Sequence, residues 1–156
     1  MTQEDKQLLL KDLCARLPYG IRYKHLAWDD EHGEDYIAAK IYSINSDGYV
    51  KNCYDDESDY IDNVRPYLFP FSSMTEGQKE ELNKKFNVRF LRNTICSIHY
   101  HSEGYWDDDL ELGLQDWLWF INWCYKNHFD IYGLIPMGLA LDATELNIYQ
   151  TPEEQL

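Results

Sequence analysis

The stretch from Asp107 to Phe129 constrains this chain most. Its residues Leu110, Leu114, Trp117, Leu118, Ile121, Cys124, Tyr125 and His128 fall on one stripe at about 100° per residue. The spacing predicts one long helix over 107–129 with that stripe in the core. Asp107, Asp108 and Asp109 stand in its first turn, where unpaired N–H groups and the helix dipole favour negative charge. Capping is their plain role, and a cation or substrate site is the sharper one. Trp119 and Trp123 lie opposite the stripe, with Phe120 between the two faces. A helix apolar nearly all round is covered on two sides. Either a second layer of the same domain covers the Trp pair, or a partner does.

The rest of the chain must supply the first layer. Thr2 and Asp5 are spaced as an N-cap and its partner, and Leu10, Leu13, Cys14 and Leu17 follow at helical spacing until Pro18 and Gly20. Residues 21–28 read as a strand with Ile21, Tyr23 and Ala27 on one face. Residues 29–35 read as a polar turn. Residues 36–44 alternate, with Ile37, Ala39 and Ile41 against Tyr36, Ala38, Tyr42 and Ile44. Asn45-Ser46-Asp47-Gly48 is a hairpin turn, and 49–54 returns as a third strand. Residues 20–54 are thus expected to form an antiparallel meander.

Residues 55–62 read as an acidic loop. Pro66 and Pro70 make 64–71 an extended segment over the core rather than a central strand. Thr75 and Gln78 suit a capping box for a helix ending near Phe86 and Asn87. Residues 88–100 read as a strand with a break at Arg92-Asn93, followed by a turn over 101–105. Residues 132–141 are an apolar segment cut by glycine and proline. The chain from Thr144 is acidic and poorly patterned, so a domain over 1–143 is expected with a frayed tail over 144–156.

Charge limits the partners. With 28 acidic and 14 basic residues in 156, the formal charge is −14. Such a chain repels phosphate, so direct nucleic-acid binding is not expected. A partner protein with a basic surface is expected instead, reached through Asp29, Asp30, Glu31, Asp55, Asp56, Glu57, Asp107, Asp108 and Asp109, with Trp119 and Trp123 as anchors. The four cysteines, Cys14, Cys53, Cys96 and Cys124, form no C-x-x-C pair. Two of them fall on expected core faces, which suits free buried thiols in a reducing compartment. Leu8–Leu10 sits between Lys6 and Lys11, too short for a signal peptide, and 117–121 is too short to cross a bilayer. A cytoplasmic location with no membrane contact is expected.

Motifs for chemistry are sparse. There is no phosphate-binding glycine loop, no G-x-S-x-G and no H-E-x-x-H. His99 and His101 point to one side of a strand and are weak metal candidates, with Glu103 or Asp107 as a third ligand. Acid–base work needs a carboxylate shifted by burial or by a charged neighbour, and runs of acid in polar turns rarely supply one. No cofactor and no catalytic residue are expected.

Residues 11–20 (KDLCARLPYG), Val64-Arg65-Pro66-Tyr67-Leu68-Phe69-Pro70 with Ser72-Ser73-Met74-Thr75-Glu76, and His128-Phe129-Asp130 with Gly133-Leu134-Ile135 and Gly138-Leu139-Ala140-Leu141 form three blocks. In them the chain resembles a family of uncharacterised small proteins of Bacteroides-type prophages and mobile elements. The family carries no activity that transfers to any residue. This chain departs from it in the acid-rich stretches 29–35, 55–62 and 107–109. The resemblance implies a mobile-element context, where small acidic proteins act on host defence or regulation.

The expectation is an α+β domain: an antiparallel sheet of about four or five strands, an N-terminal helix and a long C-terminal helix packed on it. The leading function is a non-enzymatic acidic binding protein, in its most specific form an inhibitor of a nucleic-acid-handling defence system of the anti-CRISPR type. The alternatives are a metal-dependent enzyme centred on His99 and His101, and a homo-oligomer that buries the Trp pair.

Overall fold

Thr2 starts the first helix as its spacing dictates. In the computed structural model, which describes residues 1–29, 33–54, 57–86 and 114–149, Thr2 Oγ1 accepts from the Asp5 N–H and the Asp5 carboxylate accepts from the Thr2 N–H. This reciprocal cap opens α1, Gln3–Arg16, and a 3-10 turn with Pro18 closes it on Gly20. The buried side of α1 is Leu9, Asp12, Leu13 and Arg16. Of the expected stripe of Leu10, Leu13, Cys14 and Leu17, Leu13 is buried and Leu10 and Leu17 pack partly buried against the core, whereas Cys14 is exposed and Asp12 and Arg16 are buried instead. The cause is a buried ion pair. Arg16 Nε and Nη2 each donate to the Asp12 carboxylate at 2.8 Å, and Nη2 also donates to the Phe129 carbonyl at 2.7 Å. The pair can sit inside because its own charges and a backbone oxygen satisfy most of it.

Four antiparallel strands follow in spatial order: β1 (Arg22–Asp29), β2 (Gly33–Ile44), β3 (Tyr49–Asn52) and β4 (Ser58–Tyr60). The expected turn over 29–35 is shorter than its polarity suggests, because Asp29 pairs with Gly33. At the second turn, Asn45 Oδ1 accepts from the Asp47 and Tyr49 N–H groups at 3.0 and 2.9 Å. Gly48 takes φ 83° there, a conformation that suits glycine. The β2–β3 ladder shifts between Ile41 and Ser43. This bulge turns Ile44 toward the core, where simple alternation had placed it outward with Tyr42. The stretch 55–62 is likewise more than a loop: β4 lies within it, and Ile61 is a core residue.

The first core gathers Leu9 and Leu13 of α1, Ile21, Tyr23, Ala39, Ile41 and Val50 of the sheet region, and Ile61, Val64, Leu68, Leu134, Leu139 and Ala140. Residues 64–71 cross it in extended form, as the prolines require. Within them β5 (Tyr67–Leu68) pairs in parallel with β6 (Leu141–Asp142), a departure from the all-antiparallel expectation. The Asp130 carboxylate fixes the intervening turn by accepting from the Leu134 and Ile135 N–H groups at 2.8 and 2.9 Å.

Thr75 and Gln78 cap α2, Glu76–Phe86, with side-chain to backbone bonds in both directions. The last helix, α3, is Leu114–Lys126. Within the helix expected over 107–129, the described residues are helical over Leu114–Lys126, so the helix ends three residues earlier than expected. Its end is set by a Schellman turn: Phe129 N–H donates to the Cys124 carbonyl, and His128 N–H to that of Tyr125, with His128 at φ 58°. Residues 107–113, the strand expected over 88–100 and the turn over 101–105 lie outside the described residues.

The buried face of α3 keeps Cys124 and Tyr125 of the expected stripe, with His128 just past its end, but takes in Phe120 and Trp123 in place of Leu114, Leu118 and Ile121, which are exposed. When both sides of a helix are apolar, the side with the larger aromatic surface gains more from burial. Trp123 stacks on Phe129 at 5.5 Å and on Phe120 at 6.4 Å, and with Leu82 they form a second core.

Within the tail expected over 144–156, Tyr149 is tied to the rest of the chain. The Tyr149 hydroxyl donates to the Tyr67 carbonyl at 2.7 Å and accepts from the Arg22 N–H at 3.2 Å, and its ring stacks on His128 at 3.9 Å. The result is an α+β chain with a curled four-stranded antiparallel sheet and an N-terminal helix.

Candidate protein-binding surface

Alternation along the β1–β2 hairpin separates two faces. Tyr23, His25 and Ala27 of β1 point inward with Ala39 of β2. Lys24, Leu26 and Trp28 point outward, and their cross-strand partners are Ala38, Tyr36 and Glu34. Paired positions share a face, so Leu26–Tyr36 and Trp28–Glu34 lie side by side. Trp28 is 67% exposed, Tyr36 59% and Leu26 45%. Such residues on one solvent face are the kind of surface that partners cover.

The inner face is polar in one place. Asp59 of β4 reaches across the curl of the sheet to β1. Its Oδ2 accepts from the Tyr23 hydroxyl at 2.5 Å and lies 2.7 Å from His25 Nδ1, while Asn52 Nδ2 donates to the Tyr23 oxygen at 3.1 Å. This cluster joins the first strand to the fourth, so Asp59, from an expected solvent loop, ties strands together.

The chain's cations favour its aromatic rings. Lys6 lies over Tyr60, Lys11 over Tyr132, Arg16 over Tyr125, Lys24 over Tyr36 and Lys85 over Trp119. The Lys24–Tyr36 contact is the shortest of these, at 3.9 Å from ammonium to ring centre. Such pairs usually occur about once per 70–80 residues.

The expected contact residues fare differently. Trp123 is 5% exposed and belongs to the second core, which corrects its placement on an outer face. Trp119 is half-buried, edge-on to Phe86 at 5.5 Å. Asp29 closes β1, and Glu57 is exposed before β4. Asp30, Glu31, Asp55, Asp56, Asp107, Asp108, Asp109, His99 and His101 lie outside the described residues. The exposed Trp28 was the residue missed. Its signal was present, since the alternation that turns Tyr23 and Ala27 inward turns Leu26 and Trp28 outward.

Buried titratable groups serve packing. Burial pushes the Cys124 thiol up to about 12, far from a nucleophilic thiolate. Burial pushes the His128 imidazole down to about 3, with the Arg16 charge acting in the same direction. Burial also raises the Asp12 carboxyl against the opposing pull of Arg16. Among the described residues, no group of three His, Cys, Asp or Glu side chains could hold a metal ion, and no helix is long and apolar enough to cross a membrane. Comparison with protein-family models, curated proteins and solved structures finds no match.

Proposed function

We propose that this chain is a non-enzymatic acidic binding protein that engages a basic surface of a partner protein through the outer face of β1–β2. The observation that carries the reading is the exposed set Leu26, Trp28 and Tyr36 on one sheet face. A formal charge of −14 supports it, because long-range attraction brings a basic partner in and aromatic anchors then hold it. Free Cys14, Cys53 and Cys124 fit a reducing cytosol. In its most specific form, the partner is a nucleic-acid-handling defence protein whose basic channel the chain occupies. The mobile-element resemblance supports that form.

The test is retention of host proteins on the immobilised chain at about 0.15 M ionic strength. A basic nucleic-acid-binding protein that is retained, displaced by added DNA and lost with Trp28→Ala supports the reading. No basic protein retained, or equal retention by the Trp28→Ala variant, counts against this surface.

A further inference from the structure

We infer that the outer face of β1–β2 seats an arginine side chain of its partner, with the guanidinium flat on the Trp28 indole and its N–H groups directed at the Glu34 carboxylate. This rests on the reading of that face as the contact surface. The register places Trp28 directly opposite Glu34, so an indole face and a carboxylate stand side by side. Both side chains are exposed, and Glu34 makes no ion pair among the described residues. A planar guanidinium can stack on a ring and fork to a carboxylate at once, which a compact ammonium cannot.

The chain already builds this arrangement internally. Arg16 lies over the Tyr125 ring at 5.0 Å while it donates twice to the Asp12 carboxylate at 2.8 Å. On the outer face, Trp28 takes the place of Tyr125, Glu34 that of Asp12, and the partner's arginine that of Arg16. The next ring along the face is already taken, because Lys24 covers Tyr36. No cation of the chain lies over Trp28 among the described residues, and an indole is the strongest of the aromatic cation seats. Charge agrees with the assignment: Asp30 and Glu31 follow β1 in sequence, and Glu34 and Asp35 are exposed at the start of β2. The occupant is therefore an arginine-rich extended segment of a protein.

The probe is fluorescently labelled nona-arginine, with nona-lysine as its comparison. Binding is followed by anisotropy at low ionic strength and again at about 0.15 M. The full chain is compared with Trp28→Ala and Glu34→Gln, and circular dichroism confirms that both variants keep the fold. The expected result is tighter binding of nona-arginine than of nona-lysine, with each variant weakening nona-arginine about tenfold. Equal affinity of all three proteins for nona-arginine overturns the arginine seat while leaving an acidic binding protein standing. Equal binding of the two peptides to the wild type overturns the preference for guanidinium. Failure of the wild type to bind either peptide at low ionic strength overturns both the seat and the binding reading beneath it.

Discussion

Trp28 and Trp123 are the same amino acid with opposite energetics. Trp123 stacks between Phe120 and Phe129 inside the second core. Its replacement by alanine removes a large buried surface and leaves a cavity, so Trp123→Ala should cost about 3–5 kcal/mol in urea unfolding. Trp28 touches mostly solvent, and Trp28→Ala should change stability by no more than about 0.5 kcal/mol. A similar loss for both would show that Trp28 is covered within the folded chain. His128 offers a test by pH. Its folded value, about 3, lies below its ordinary value of 6.5. A depressed base keeps its full contribution to stability above the unfolded value and loses it as pH falls toward the folded one. Between pH 6.5 and 3, the unfolded chain takes up a proton that the folded chain refuses. Stability should fall there by as much as about 1.4 kcal/mol per pH unit from this group. His128→Asn, which tolerates the left-handed backbone, should flatten melting temperature against pH over that window. An unchanged slope would remove His128 as the cause.

At the scale of elements, the interaction closing the described chain is the most directly testable. Tyr149→Phe keeps the stack on His128 but loses the bonds to the Tyr67 carbonyl and the Arg22 N–H, and it should cost about 1–3 kcal/mol in chemical denaturation. A neutral result would return residues 144–149 to the frayed state expected from their composition. The same contrast shows which elements were legible. The Thr2 and Thr75 caps, the β1–β3 meander and the Asn45–Gly48 turn are local, and each announces itself within a few residues. The orientation of α3 depends on Phe129, Leu82 and Phe86, which no helical periodicity includes. Cys14 falls off the buried face of α1 because that face takes in Asp12 and Arg16, whose burial uses the Phe129 carbonyl, far along the chain. Tyr42 is part of a bulge that pattern alone could not place, so Ile44 was assigned to the wrong side. Of the candidate site, the acidity is legible in the sequence, whereas the burial of Trp123 depends on Phe129 and Leu82 and is not. The exposure of Trp28 is legible, because strict alternation in β1 turns it outward with Leu26.

For the whole molecule, the charge of −14 acts in two directions. It repels itself within the compact state, and it attracts any basic surface over a range that salt shortens. The internal cations relieve part of the first effect by sitting on rings and carboxylates, as Lys6 does in pairing with Asp62 at 2.6 Å. The first core has a consequence for synthesis. Leu9 and Leu13 are made early, yet their neighbours Leu134, Leu139 and Ala140 are made more than a hundred residues later. The hairpins of the sheet can form while the chain is still growing, but the core beneath them must wait for its last contributors. A nascent chain that stops short of Leu134 therefore carries a paired sheet with an open apolar underside, and it is in that interval that a protease or a chaperone has its best hold on this protein.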